Sequence, residues 1–416
     1  MITTENWLYI EPFVYIAVNS DKALLYNTLN GKSVEFSYNT KPYFLIKRLN
    51  QDKNLMVVKL SSNYQNDLEI CNFVNKIQKF YIGDILNMPF RNGKKPFQLK
   101  PIYNIQRDLK AILQKESFGT KVMQQITDIS IQINAACRLN CNNCNNYHKQ
   151  FLSCTQNSKS EMGLQTIKKI FEDLAGANIT NINISGGNVF EYSHFEGLIE
   201  VLKEYYFSAS FFTHYKNIPL KDNVLNLLSK YNHKINSLIF LPVDIEILKT
   251  KLYLLEKNKI NSCHTFIIEN YEDYFVAENL NKELQMDNSV FFPFYNEKNI
   301  TFFKENVFLL KKDILEAMPT IAIINSRKMI NSNYYGKLVI MANGDVYANV
   351  NEKKLGNINN GSLHEFANRE MKDGNSWCKT RNNIMPCKTC VYKYLCPPIS
   401  SYEYNIGKYN MCKINR

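Results

Sequence analysis

The chain has 416 residues, 45% hydrophobic and 21% charged, a length for about two to three domains whose core needs no covalent staples. No stretch approaches about 18 consecutive apolar residues, and Met1 to Trp7 has neither a basic nor an apolar signal segment, so membrane-spanning and secreted classes are excluded and a cytoplasmic, thiol-reducing setting is expected. The 50 Lys and Arg outnumber the 38 Asp and Glu, a formal charge of +12, but the cations are dispersed; the main concentration, Arg91, Lys94 and Lys95 with Lys100 behind them, does not carry a nucleic-acid assignment.

The first eighty-odd residues read as one α+β unit. Phe13 to Val18, Ala23 to Tyr26 and Ser33 to Phe36 are short runs rich in β-branched and aromatic residues. Asn30-Gly31 between the last two is a two-residue hairpin signal. Tyr43 to Leu49 reads as helix, Leu55 to Leu60 as strand, and Leu68 to Lys79 places Ile70, Val74 and Ile77 at helical spacing. The stretch Asn87 to Pro101, with Pro, Gly and the basic cluster, reads as a linker.

From about Asp128 the pattern becomes strand-helix-strand. Strands are expected at Ile129 to Ile133, Asn181 to Ser185, Ala209 to Thr213, Ser237 to Leu241, His264 to Ile268 and Phe291 to Phe294. Helices are expected around Leu164 to Leu174, Glu191 to Tyr205, 221 to 229 and 244 to 256. Repeated βα units predict a parallel sheet, here a partial (βα)6 barrel. Lys337 to Met341 and Val346 to Ala348 flank Asn343-Gly344-Asp345 and predict a hairpin, followed by a loop-rich tail.

The eleven cysteines are concentrated, three between 137 and 144 and five between 378 and 412. Tight clusters in a long chain bind metal more often than they form disulfides. Cys137, Cys141 and Cys144 form a C-x3-C-x2-C set in the loop after the first strand of the βα series. Three thiolates can hold three irons of a [4Fe–4S] cube and leave the fourth open; a zinc knuckle completed by His148 is the other reading. Cys387, Cys390, Cys396 and Cys412 are spaced C-x2-C-x5-C-x15-C and suit either zinc or a fully ligated [4Fe–4S] cluster. Cys71, Cys154 and Cys263 have no partners at metal spacing and read as small buried side chains, as does the spare Cys378.

The first set, with Ser185-Gly186-Gly187-Asn188 at the end of the second strand and Thr213-His214 at the end of the third, resembles the radical SAM superfamily. That resemblance implies a [4Fe–4S] cluster whose open iron binds S-adenosyl-L-methionine, with Gly186, Gly187, Asn188 and Thr213 as cofactor contacts. Asn143 stands where the family has an aromatic residue before its third cysteine, and Asn188 where its Gly-Gly-Glu motif has Glu. The hairpin Gly336 to Tyr347, its sequel Leu355-Gly-Asn-Ile358 and the second cysteine set resemble the SPASM extension. The cysteines matching its first auxiliary cluster are missing, which implies one auxiliary [4Fe–4S] cluster held by Cys387, Cys390, Cys396 and Cys412.

Trp7 to Tyr15, Leu25 to Gly31 and Leu395 to Glu403 resemble the radical SAM and pseudo-radical-SAM SPASM proteins encoded beside Gly-Gly-leader peptides. The expected organisation is an N-terminal leader-binding-like unit over 1–100, a radical SAM core over 125–325 and a SPASM-like domain over 330–416. The implied activity is maturation of a ribosomally made precursor peptide by crosslink, thioether or epimerisation. The implied partners are that peptide, a sister maturase and a one-electron reductant such as flavodoxin or ferredoxin. The alternatives are a non-catalytic partner that presents the peptide, and a radical SAM enzyme acting on RNA or another protein.

Overall fold

A computed structural model describes residues 6–61, 63–87, 95–98, 122–154, 160–373 and 376–414. Its centre is a nine-stranded sheet built on β7 (Asp128–Asn134), β8 (Asn181–Gly186), β9 (Ala209–His214), β10 (Lys234–Phe240), β11 (Asn261–Ile268) and β12 (Ser289–Pro293). These six strands lie in sequence order and every neighbouring pair is parallel. This is the expected α/β architecture, a partial (βα)6 barrel. Its strands read as apolar runs because helices cover the sheet: Ile129, Ile131, Ile133, Ile182, Ile184 and Phe211 are all buried in the main core.

The crossover helices follow from spacing and caps. Leu164–Asp173 buries Ile167, Ile170 and Phe171 along one stripe, each worth about 1.5–3 kcal/mol. Asp244 caps Ile245–Lys257 by accepting from Ile247 N, and Asn270 caps Tyr271–Glu283 by accepting from Asp273 N; such caps contribute about 1 kcal/mol each. The helix expected from Glu191 begins later, at Phe195. Asn188 first accepts from Phe190 N and closes a single 3-10 turn over Val189–Glu191, so the chain enters the helix only after Tyr192-Ser193-His194.

The sheet continues past the six strands. β13 (Lys337–Ile340) pairs parallel with β7, and β14 (Asp345–Tyr347) and β15 (Gly356–Asn357) extend it antiparallel. The expected hairpin is therefore an extension of the central sheet. The tail after it is less irregular than expected, since Leu363–Asp373 is helical and buries Leu363, Phe366 and Met371.

The N-terminal residues form two antiparallel three-stranded sheets. One has the order β5-β1-β6, from β1 (Asn6–Ile10), β5 (Val57–Leu60) and β6 (Gly83–Asn87); the other has β2-β3-β4, from β2 (Val14–Val18), β3 (Lys22–Asn27) and β4 (Ser33–Ser37). Helices Lys41–Leu49 and Leu68–Lys79 share a core with both sheets. Strand alternation gives β3 two buried faces. Ala23 and Leu25 face this core, while Leu24 and Tyr26 join Tyr15, Val391, Tyr392, Leu395 and Cys396 in a second one. The Asn30-Gly31 signal does not make a two-residue turn, because β3 and β4 are separated by Thr28 to Lys32. Asn27 Oδ1 accepts from Leu29 N and Asn30 Oδ1 from Lys32 N, which rounds the loop out instead. Most of the expected linker, with Arg91, Lys94 and Lys100, lies outside the described residues; Gln98 N donates to Leu55 O at 3.0 Å.

Candidate functional site

The carboxyl end of β7 hands the chain into the first cysteine loop, beside the carboxyl ends of β8 to β11. The Gly-Gly pair after β8 is clamped against that loop. Gly187 N donates to Asn134 O and Oδ1 at 3.1 and 3.0 Å, and Asn188 N donates to Ala136 O at 2.7 Å. A Cβ on Gly187 would sit 2.0 Å from Ala136 O, and one on Gly186 2.3 Å from Asn134 Oδ1. Only glycine permits this approach. Tyr147, buried against Phe240 and Phe294, anchors the far end of the loop.

Cys137 and Cys141 face a narrow cavity together with Gly186, Gly187, Thr213 and His214. The cavity shares Leu139, Cys141, Tyr147, His214 and Phe240 with a polar cleft of about 450 Å³ that reaches Glu269, Asn270 and Asp273. Cys144 is hydrogen-bonded to Cys141 and to a fourth free thiol, Cys154. Hydrogen bonds from Cys154, then Cys141, pull the Cys144 thiol down to about 6 against the opposing effect of burial. Burial and the neighbouring thiols push Cys141 up to about 12. Cys154, expected to be an isolated side chain, lies in the same cavity. It stands ten residues beyond Cys144, apart from the tight C-x3-C-x2-C run, and the folded loop brings it in.

Thr213 is 2% exposed, and its Oγ1 has no hydrogen-bond partner in the cavity wall. Asn188 is not in that wall; its side chain caps the 3-10 turn. His214 Nδ1 accepts from Lys216 N at 3.1 Å, and burial pushes the imidazole down to about 4, so it is neutral. Asn143, in place of an aromatic residue, donates to Glu269 Oε1 at 3.2 Å and ties the loop to the end of β11. His148 does not line this cavity; it faces a second chamber. Among the described residues no group of three or more His, Cys, Asp or Glu stands ready to hold a metal ion. The thiol loop, the glycine cradle and the unpartnered Thr213 hydroxyl fit a cluster with a polar ligand beside it.

The second cysteine set gathers where the tail folds back on the N-terminal sheet. Cys396 is buried among Tyr15, Val391 and Leu395, with Cys390 and Cys412 packed against the same core. Cys387 donates to Tyr409 O at 3.1 Å and accepts from Arg381 Nη1 at 3.5 Å. Burial pushes Cys396 up to about 12 although Arg381 opposes it. Arg381 is itself held by Glu403 at 2.8 Å. Arg381 reaches two of the four thiols, bonded to Cys387 and acting on Cys396, and thiols of this kind ionise on binding metal. Cys71, Cys263 and Cys378 are half-buried free thiols, and Cys378 packs on the main core.

Residues 131–237 match the family described as a 4Fe-4S single cluster domain. No curated protein matches the chain. Among solved structures, Streptococcus suis SuiB bound to S-adenosylmethionine is 14% identical, with 97% of each chain covered and a TM-score of 0.46. SuiB bound to the precursor peptide SuiA is 14% identical, covering 98% of this chain and 100% of that one, with a TM-score of 0.47. anSMEcpe with bound AdoMet is 16% identical over 65% of this chain and 84% of that one, with a TM-score of 0.44. The cysteine loop, the glycine cradle and Thr213 thus all fall inside the segment that is similar to the 4Fe-4S single cluster domain.

Proposed function

We propose that the chain is a radical SAM enzyme of SPASM type that modifies a ribosomally made peptide. The observation that carries this reading is the C-x3-C-x2-C loop at the carboxyl end of β7, clamped by Gly186-Gly187 and opening through the Cys137–Cys141 cavity into the 450 Å³ cleft. Cys137, Cys141 and Cys144 would hold the cluster, and Cys387, Cys390, Cys396 and Cys412 the auxiliary one. When bound, the first cluster with S-adenosyl-L-methionine supplies one-electron cleavage to a 5′-deoxyadenosyl radical able to take hydrogen from an unactivated C–H bond.

The chain's own residues bind, orient and shield. Gly186 and Gly187 let backbone approach the ligand. Thr213 Oγ1 offers a hydrogen bond that the folded chain leaves unused. His214, neutral and stacked on Phe240, presents a flat wall without a competing charge. Tyr147, Phe151, Phe240 and Phe294 form an aromatic cluster behind the loop that excludes water. The auxiliary set is closed by four thiols, which suits electron transfer or structure. The 1–100 unit would recognise the peptide, the 125–325 unit would carry the radical chemistry, and 330–416 the auxiliary cluster.

The test is anaerobic reconstitution of the full chain, iron and sulfide analysis, and assay of 5′-deoxyadenosine with S-adenosyl-L-methionine and a reductant. About eight irons are expected for two cubes. Cys141→Ala should lose about half of them and all 5′-deoxyadenosine. Iron-free protein, or zinc in its place, would refute the proposal; iron without 5′-deoxyadenosine would mark a presenting partner.

A further inference from the structure

The loop that carries Cys137, Cys141 and Cys144 continues past Tyr147 and is held in place there. Phe151 packs on Tyr147 and Phe240, with ring centroids 5.5 and 6.4 Å away. Two residues later Ser153, 2% exposed, offers its carbonyl to Gln132 Nε2 at 3.1 Å. Gln132 is itself buried on β7, the strand that launches the loop. Cys154 is therefore positioned from β7 and from the aromatic cluster. Its thiol hydrogen-bonds to Cys144 and also interacts with Cys137 and Cys141. Together with Cys137 and Cys141 it lines the narrow cavity that Gly186, Gly187 and Thr213 border. A cysteine that serves only as a small core side chain packs on apolar neighbours, as Cys378 does on the main core. Among the described residues Cys154 belongs to no apolar cluster. Its neighbours are the other three thiols.

Resting on the function proposed above, we infer that Cys154 is a fourth ligand of the first cluster, closing its open iron while S-adenosyl-L-methionine is absent. Three thiolates hold three irons of the cube and leave the fourth without a protein ligand. A further thiol in the same cavity can fill that position, giving up its proton to solvent as the Fe–S bond forms. No electron moves in this step. S-adenosyl-L-methionine enters by exchange: the bond from iron to Cys154 breaks and the released thiolate takes up a proton. The iron that the cofactor needs is thus kept from water and oxidant until the cofactor arrives.

The test uses the full chain, reconstituted anaerobically without S-adenosyl-L-methionine, and reads iron content and electron paramagnetic resonance, with no turnover. Each sample is oxidised with a slight excess of ferricyanide. An iron that no thiolate holds is released, and the three-iron cluster left behind has its own resonance signal. The wild type should keep its irons and show little of that signal. Cys154→Ala should lose about one iron per chain, one corner of the cube, and show the signal in full. Cys154→Val fills the space without supplying a ligand and should behave as Cys154→Ala does; protection equal to the wild type would mean that bulk, not ligation, shields the cluster, and would overturn the inference. Cys378→Ala should match the wild type, and an equal iron loss there would also overturn it. A strong three-iron signal in the wild type overturns the inference without any variant having to fold, and leaves the proposed function standing. Iron-free wild-type protein refutes both.

Discussion

Replacing Arg381 by Met should destabilise the tail of the chain by about 5 kcal/mol. The guanidinium pairs with Glu403 through Nη1–Oε1 at 2.8 Å and Nη2–Oε2 at 3.4 Å. The two side chains are only 10% and 2% exposed. Removing one partner leaves a buried carboxylate uncompensated, which costs about 3–5 kcal/mol. Glu403 keeps the hydrogen bond from Ser400 N at 2.8 Å, which holds the cost toward the lower end. Arg381 also donates to Pro397 O and Tyr409 O at 2.6 and 3.2 Å, and stranding each carbonyl adds about 1 kcal/mol. Met fills the methylene volume without the charge. If the 416 residues unfold together, at about 2.1 cal/mol/K per residue, the midpoint falls by about 5–6 °C. Urea unfolding followed by circular dichroism measures the loss directly, and iron analysis shows whether the auxiliary site still loads. Arg381→Met with Glu403→Leu should recover about 2 kcal/mol of the deficit, because no buried charge remains while the Pro397 and Tyr409 carbonyls and Ser400 N stay without their partners. A deficit below about 1 kcal/mol in the single variant, or a double variant worse than the single, would refute the reasoning.

Three further outcomes are expected. His214, His233 and His264 are each pushed down to about 4 by burial, with Lys216 adding to the effect at His214; the unfolded chain therefore binds more protons between about pH 6.5 and 4. Their contribution is present above pH 6.5 and lost as pH falls toward 4, by up to about 1.4 kcal/mol per unit for each, so urea unfolding at pH 7 and pH 5 should show a fall of several kcal/mol. Gly187→Ala forces a Cβ to within 2.0 Å of Ala136 O; a cost of about 1–3 kcal/mol and reduced iron loading should appear in thermal melts and metal analysis, with the second cysteine set unaffected. Tyr15→Phe removes the 3.0 Å bond to Val391 O and should cost about 1 kcal/mol, read from the urea midpoint.

The six parallel strands were legible because each is a short apolar run bounded by turn residues, and Cys137, Cys141 and Cys144 because their spacing is local. What escaped the sequence depends on pairing across long separations. β1 and β6 hold no clean alternation, and they become strands by flanking each other, Trp7 opposite Leu86 and Leu8 opposite Ile85. Tyr271–Glu283 carries Tyr274, Phe275 and Val276 on exposed positions, which blurs its apolar stripe. Asn30-Gly31 misled because Asn27 and Asn30 both bond their own backbone and open a wider loop.

The parallel pairing of β13 with β7 has a consequence for anyone dividing this chain into parts. A fragment ending before Lys337 would strip the hydrogen-bonding partner from Asp128 to Ile131 on one flank of β7, exposing free N–H and C=O groups on an apolar strand. Such a bare flank is a template for another molecule's strand, so the isolated core would self-associate. A soluble excision, or a graft of the tail onto another core, has to carry Lys337 to Ile340 along with the strand they guard.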